Sequence, residues 1–302
     1  MDMTRFVNTF GQYLRQKYAE KVHKVSVNAS FTCPNRDGSK GIGGCTFCNN
    51  ASFSPGSTKA GAISEQIRQA QEKVGARTGA KKFIAYFQSY SNTYGSPEDL
   101  KRYYDEALAQ PGVIGLAVGT RPDCVPDPVL ELLAAYQAQG HEVWLELGLQ
   151  SSFDHTLEQI NRGHSYSDYV DAVTRAKGFG LKLCTHLIVG LPGEEPEDSL
   201  VSFDRVINLG VDAIKIHPLH IVKGTQMARQ WRNGQVRELT MESYTDVLMQ
   251  MILRAPEELL FHRLTGSGER QYLLSPAWAM HKWDVLGMLY KKLEAATVEK
   301  IE

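Results

Sequence analysis

Three cysteines, Cys33, Cys45 and Cys48, lie within 16 residues, separated by eleven residues and then by two. The first gap holds Gly38, Gly41, Gly43 and Gly44, so the backbone there can fold closely around a bulky group. Thiolates are the usual ligands of iron–sulfur clusters, and they also bind zinc. On spacing alone the two readings stand level, with a histidine such as His23 completing a structural zinc site. The iron reading carries a specific consequence. A 4Fe-4S cubane on three thiolates leaves one iron without a protein ligand, and an open metal position can chelate a substrate. S-adenosylmethionine suits that position, because its amino and carboxylate groups can bind one iron together. An electron from the cluster would then break a C–S bond and release a 5′-deoxyadenosyl radical, with the protein supplying orientation and exclusion of water.

The surrounding elements favour the cluster. Short β-branched runs at 23–29, 82–88, 114–120, 143–149, 182–190 and 213–221 alternate with helical stretches at about 59–75, 97–109, 127–139, 166–179 and 196–209. Ser96-Pro97 followed by Glu98 and Asp99 opens one helix, and Gly140 and Gly180 close two others. Such alternation predicts βαβ units on a parallel sheet with right-handed crossovers. Six units fit a partial (β/α)6 TIM-like barrel of the α/β class, with a doubly wound open sheet as the competitor. In either, ligands sit at the C-terminal ends of the strands. The cysteine loop follows the first strand, whereas structural zinc more often staples small loop-rich modules. Residues 1–221 are expected to form the barrel core, including the cluster loop 33–48. Residues 222–302 are expected to be an extension packed on it, with a strand near 259–266 and a closing helix at 279–297.

Bulk properties exclude little. The 302 residues are 42% hydrophobic and 22% charged, ordinary for a globular protein that buries a sizeable core. With Lys+Arg 33 and Asp+Glu 34, the net charge of −1 argues for neither nucleic acid nor membrane. The N-terminus lacks a signal peptide's apolar core, and no apolar run approaches about 18 residues. A cytoplasmic location is expected. There, an odd set of five cysteines with three clustered reads as metal-binding before it reads as disulfides.

Several segments carry a resemblance: FTCPNRDGSKGIGGCTFCN, YFQSYSNTY, VGTRPDCVP, VWLELGLQS, INRGHS, HLIVGLPGE and IKIHPLHIVKGT, with FHRLTG in the tail. Together they resemble the radical SAM superfamily, and more closely its YhcC-like family, which is related to the radical SAM subunit of Elongator. The resemblance implies that Cys33, Cys45 and Cys48 hold a 4Fe-4S cluster. It places Phe47 near the adenine of S-adenosylmethionine, and Gln88-Ser89-Tyr90 where the superfamily has a Gly-Gly-Glu segment holding the methionine amino group. This chain has neither the glycines nor the acid there. Thr120, Arg121 and Asp123 follow the third strand. Glu146 and Gln150 match positions that contact nucleoside or methionine. Arg162 matches an arginine near the methionine carboxylate, and Gly190 a turn near the adenine. A one-electron reductant such as flavodoxin or ferredoxin is implied as partner.

Each of these residues also has a plainer reading. Glu146 could pair with Arg121 or Lys215 inside the barrel, and Gly190 could serve only a strand-to-helix turn. Cys184, inside a strand, reads as a small buried hydrophobe. Cys124 lies near a strand's catalytic end and keeps a substrate-side reading. His164, His186, His217 and His220 are candidates for the barrel mouth. Lys223, Arg229, Arg232, Arg254, Arg263 and Arg270 read as a solvated surface before they read as an RNA face. Three functions remain open: radical modification of a tRNA nucleoside, a radical reaction on a small molecule, and a zinc- or cluster-holding module. The first rests on the Elongator resemblance, although the chain has no room for that protein's acetyltransferase domain. The second rests on VGTRPD and INRGHS, which also resemble oxygen-independent coproporphyrinogen dehydrogenase.

Overall fold

The computed structural model describes residues 2–49, 52, 61–266 and 268–298. In chain order the elements are β1 (Asn8–Thr9), α1 (Phe10–Tyr18), β2 (Val22–Val27), α2 (Ile63–Thr78), β3 (Lys82–Phe87), α3 (Pro97–Leu108), β4 (Val113–Thr120), α4 (Asp127–Ala138) and β5 (Glu142–Gln150). There follow α5 (Asp154–Gln159), α6 (Tyr166–Gly178), β6 (Lys182–Val189), α7 (Pro196–Asn208), β7 (Ala213–Pro218), β8 (Ile221–Val222), α8 (Gln226–Arg232), α9 (Met241–Arg254), β9 (Leu260–Arg263), β10 (Leu273–Ser275) and α10 (Lys282–Val298). The six expected βα units are β2 to β7. Residues 59 and 60 of the first expected helix lie outside the described residues. Start and stop signals act as local chemistry dictates. Ser96 Oγ accepts from the Asp99 N–H, and Gly140 and Gly180 take positive φ of 92° and 70° after α4 and α6.

One sheet orders its eight strands β1-β9-β7-β6-β5-β4-β3-β2, all in parallel. It is strongly curled. Strands β2 and β9 stand six places apart, which in a flat sheet is about 29 Å. Instead, Lys24 Nζ on β2 lies 3.4 Å from His262 Nδ1 on β9. Period-2 alternation then divides every strand. On β5, Val143, Leu145, Leu147 and Leu149 face outward into the main core beneath the helices, while Trp144 and Glu146 point inside.

The extension contributes β9 to this sheet beside β7, and β10 pairs antiparallel with β8. The expected strand at 213–221 ends at Pro218, after which the Leu219 N–H turns back to the Val189 carbonyl. Helix α1 seals the N-terminal end of the barrel. Phe10 and Leu14 pack on Trp144 and Ala117, and Tyr13, Tyr18, Lys17, Lys182 and Trp144 all donate to the buried Glu142 carboxylate at 2.6–3.0 Å. Among the described residues the C-terminal end, where the cysteines lie, is left open. Among the described residues no helix is long and apolar enough to cross a membrane.

Candidate active site at the open end of the barrel

Backbone hydrogen bonds fix the cysteine loop over this end. The Cys33 carbonyl accepts from the N–H groups of Arg36 and Asp37 at 2.8 and 3.2 Å, and the Cys48 N–H returns to the Cys45 carbonyl at 3.0 Å. Between Cys45 and Cys48, Thr46 donates to the Ile160 carbonyl at 2.9 Å and accepts from the Met227 N–H at 2.8 Å. The Asn161 amide donates to the Gly44 carbonyl at 2.8 Å, and its own carbonyl accepts from Asn35 at 2.5 Å. Arg162 Nη1 approaches Cys45 Sγ at 3.5 Å, while Nη2 donates to the Gly148 carbonyl at 2.6 Å. Every residue from Ile160 to Arg162 therefore touches the loop. The loop glycines make room for its own side chains. A Cβ on Gly41 would lie 2.4 Å from Asn35 Oδ1, and one on Gly44 2.7 Å from Arg36 Nε.

The three thiols face one cavity of about 260 Å³. Among the described residues no three His, Cys, Asp or Glu side chains converge as tightly as a single metal ion needs. His23, the candidate fourth zinc ligand, sits at the N-terminal start of β2, a strand's length from this loop. Each thiol has a guanidinium beside it: Arg121 acts on Cys33, Arg162 on Cys45 and Arg36 on Cys48. Burial pushes the Cys48 thiol up and Cys45 adds to this, while Arg36 and Arg162 pull it back. Arg162 Nε is buried without a partner. Three soft donors ringed by cations, with one guanidinium N–H still free, fit an anionic iron–sulfur cluster and a carboxylate beside it.

The structure brings Phe47, Gln88, Thr120, Arg121, Glu146, Gln150 and Arg162 into this cavity with the cysteines. Gln150 arrives there through a bulge: the β5–β6 register shifts between Gly148 and Gln150, and Gln150 adopts φ +81°. Gly148 is small for a reason, since a Cβ there would lie 2.8 Å from Arg162 Nη2. Ser89, Asp123 and Gly190 do not line the cavity. Asp123 binds Arg121 through two contacts of 2.9 Å and Lys40 through one of 2.6 Å, so it ties the cysteine loop to the end of β4. Gly190, at φ +87°, packs against Leu239. Cys124 lines a separate shallow depression, and burial pushes its thiol up to about 12. Cys184 is wholly buried in the barrel interior.

The cavity floor is the Glu146 carboxylate. It accepts from Lys24 at 2.5 Å, from His186 Nε2 at 2.9 Å and from Lys215, with His262 Nδ1 at 3.7 Å. It pairs with Lys215 and not with Arg121. Burial alone would raise its pKa, but Lys215 and Lys24 hold the carboxyl well below its usual range. His186, His217 and His220 line the cavity, whereas His164 is turned toward the Ser165 carbonyl at 3.1 Å. Of the scattered basic residues only Arg263 reaches the cavity. Sequence reasoning passed over Arg36. Its signal was its place three residues after Cys33, within the loop.

A curled parallel sheet with three thiols over its open end defines a class of cofactor-dependent α/β enzymes, and comparison with known proteins agrees. The Radical SAM superfamily profile matches residues 28–206, and the Radical_SAM C-terminal domain matches residues 211–295. Protein YhcC of Escherichia coli (strain K12) is 47% identical over 283 residues, 94% of this chain and 91% of that protein. The tRNA uridine(34) acetyltransferase of Methanocaldococcus infernus is 29% identical over 139 residues, 45% of this chain and 25% of that enzyme. Among solved structures, the archaeal Methanocaldococcus infernus Elp3 with an N-terminal deletion superposes with a TM-score of 0.68 at 20% identity. That match covers 91% of this chain and 63% of Elp3, and it speaks for the fold. The chain belongs to the radical SAM superfamily of enzymes, and within it to the YhcC-like family.

Proposed function

We propose that Cys33, Cys45 and Cys48 hold a 4Fe-4S cluster, and that S-adenosylmethionine binds beside it in the same cavity to start hydrogen abstraction from a substrate. The observation that carries this is the convergence of three arginine-flanked thiols on one cavity at the open end of the barrel. When bound and reduced, the cluster supplies the electron that cleaves the C–S bond of S-adenosylmethionine to a 5′-deoxyadenosyl radical. The chain's own residues do the positioning. Arg162, held by Gly148 and Cys45, offers its free Nε–H to the methionine carboxylate. Gln88, Gln150 and Thr120 offer neutral donors and acceptors to the amino group and ribose. Phe47, packed against the apolar cluster that holds Leu191 and Leu219, offers an apolar wall to the adenine. Arg121, tied through Asp123 to Lys40, steadies the cysteine loop beside β4. Flavodoxin or ferredoxin would deliver the electron.

Anaerobic reconstitution tests this reading. About four irons per chain and reductant-dependent 5′-deoxyadenosine are expected. One zinc and no iron, or no 5′-deoxyadenosine from an iron-loaded protein, would overturn it. A second reading concerns the substrate. Similarity to a tRNA uridine(34) acetyltransferase favours a tRNA nucleoside over a free metabolite. tRNA should then bind at low salt and weaken steeply as salt rises, and tRNA from cells lacking the protein should lose a modified nucleoside. No binding at low salt removes tRNA from consideration.

A further inference from the structure

One stretch of the cavity wall is unbalanced in charge. It is built by β7, β9 and the turn beyond each. The β7–β9 register shifts between Ile214 and Lys215, so that Arg263 stands opposite Lys215. This shift lets two successive residues of β9 reach the barrel interior. His262 meets Glu146 and Trp144, and Arg263 lines the cavity. Among the described residues Glu146 is the only carboxylate lining the cavity, and two lysines already share it. Arg263 has no hydrogen bond or ion pair to any described residue. Beside it stand His217 and His220, and His220 Nε2 is buried with no partner. Burial, then the Arg263 charge, keeps both imidazoles neutral; His220 gives its one N–H to the Gly266 carbonyl, while His217 retains an N–H to donate. Gly266 leaves His217 its space, since a Cβ there would lie 2.6 Å from His217 Nδ1.

We propose that Arg263 and His217, flanked by His220, form a subsite for an anionic oxygen group of the substrate, a carboxylate or a phosphate. A guanidinium at the mouth of a cavity, with no carboxylate beside it and a neutral imidazole N–H next to it, favours an anion over a neutral group. The cations near the cysteines are committed otherwise. Arg121 is neutralised by Asp123, and Arg36 and Arg162 face thiols. The subsite rests on the reading of this cavity as the reaction site, but its test needs no turnover.

Reconstituted full-length protein, saturated with S-adenosylmethionine, is titrated calorimetrically with inorganic phosphate and separately with succinate at low chloride. NMR of carbon-13-labelled histidine follows His217 and His220. Saturable binding of at least one anion is expected, with both imidazoles shifting at the same half-saturation. Arg263→Gln should weaken it by about tenfold or more, the loss of one charge-assisted contact. Arg254→Gln, which breaks an outer pair with Asp204, should leave it unchanged. Tighter phosphate binding points to a phosphorylated substrate, and tighter succinate binding to a carboxylic acid. Should Arg263→Gln fail to fold, the wild-type imidazole shifts decide. The subsite is refuted if neither anion saturates, if the variant binds as well as wild type, or if S-adenosylmethionine displaces the anion. None of these outcomes alters 5′-deoxyadenosine release, so they stand apart from failure of the radical reading.

Discussion

Replacing Glu146 by Gln tests whether the barrel interior is organised around one buried charge. The carboxylate has no solvent exposure, and the Lys215 side chain beside it is 4% exposed. Gln keeps the shape and one acceptor oxygen but removes the charge. Lys24 and Lys215 are then left facing each other across a neutral amide. Breaking a buried pair by removing one partner typically costs about 3–5 kcal/mol. One route lowers that figure. Burial already brings the Lys24 ammonium down to about 8 against the pull of Glu146, so without Glu146 it can shed its proton. A loss of about 3 kcal/mol is therefore expected at neutral pH, read from urea unfolding of the reconstituted protein with unchanged slope. Adding Lys215→Met to Glu146→Gln should return part of the loss, because it removes the charge left without a partner. A loss under about 1 kcal/mol, or a Lys215→Met effect identical in both backgrounds, would refute the reasoning.

Three further outcomes follow from the same geometry. Cys45→Ala should abolish both iron retention and 5′-deoxyadenosine formation while the barrel stays folded; retained iron with full turnover would remove Cys45 from the ligand set. Gly148→Ala should cost about 1–3 kcal/mol and speed iron loss under chelator, because its Cβ displaces the Arg162 guanidinium from Cys45. At the sealed end, burial works to raise the Glu142 carboxyl, but Lys17, Lys182 and Tyr18 hold it down at about 2. Its folded pKa lies below the unfolded one, so its contribution is present above about 4.5 and is lost as pH falls toward about 2. Glu142→Gln should flatten that acid limb, and an unchanged acid denaturation profile would count against the network.

The barrel was legible because its signals are local. Each of β2 to β7 is a short β-branched run closed by a turn residue, and the helices between them carry caps such as Ser96 and Gly180. Helix α1 escaped because Gly11 and its polar face hide a plug whose partners, Trp144 and Glu142, lie more than 120 residues away. Helix α9 escaped within a tail read only coarsely, although Thr240 caps it. At the site the cysteines and Gln150 were readable because motif and strand end coincide, and Arg162 because it lies in the INRGHS segment after α5. Counting from strand ends could not separate Gln88 from Ser89, since adjacent residues point to opposite sides, or Arg121 from Asp123, which lie beyond the end of β4 and pair with each other. The role of Arg263 needed two non-local facts, closure of the sheet and the β7–β9 register shift.

The segment Gln88-Ser89-Tyr90 makes a constrained turn at the end of β3. Tyr90 holds φ +65°, a conformation that glycine adopts at no steric cost and tyrosine seldom does. The structure over-determines it. The Ser91 N–H is bound by the Thr32 carbonyl at 3.2 Å and the Asn92 N–H by the Gly119 carbonyl at 3.2 Å, while Arg36 lies 5.9 Å from the Tyr90 ring centroid. This segment brings no acid to the cavity. With Glu146 already committed to two lysines, the cavity lining offers a cationic ligand group only neutral acceptors, such as Gln88 and Gln150, together with backbone carbonyls. The same cavity has a surplus of positive charge at Arg263. At that end, away from the cysteines, the electrostatics therefore favour an anionic group on the ligand that reaches Arg263, and this local bias follows from the register shift beside β9.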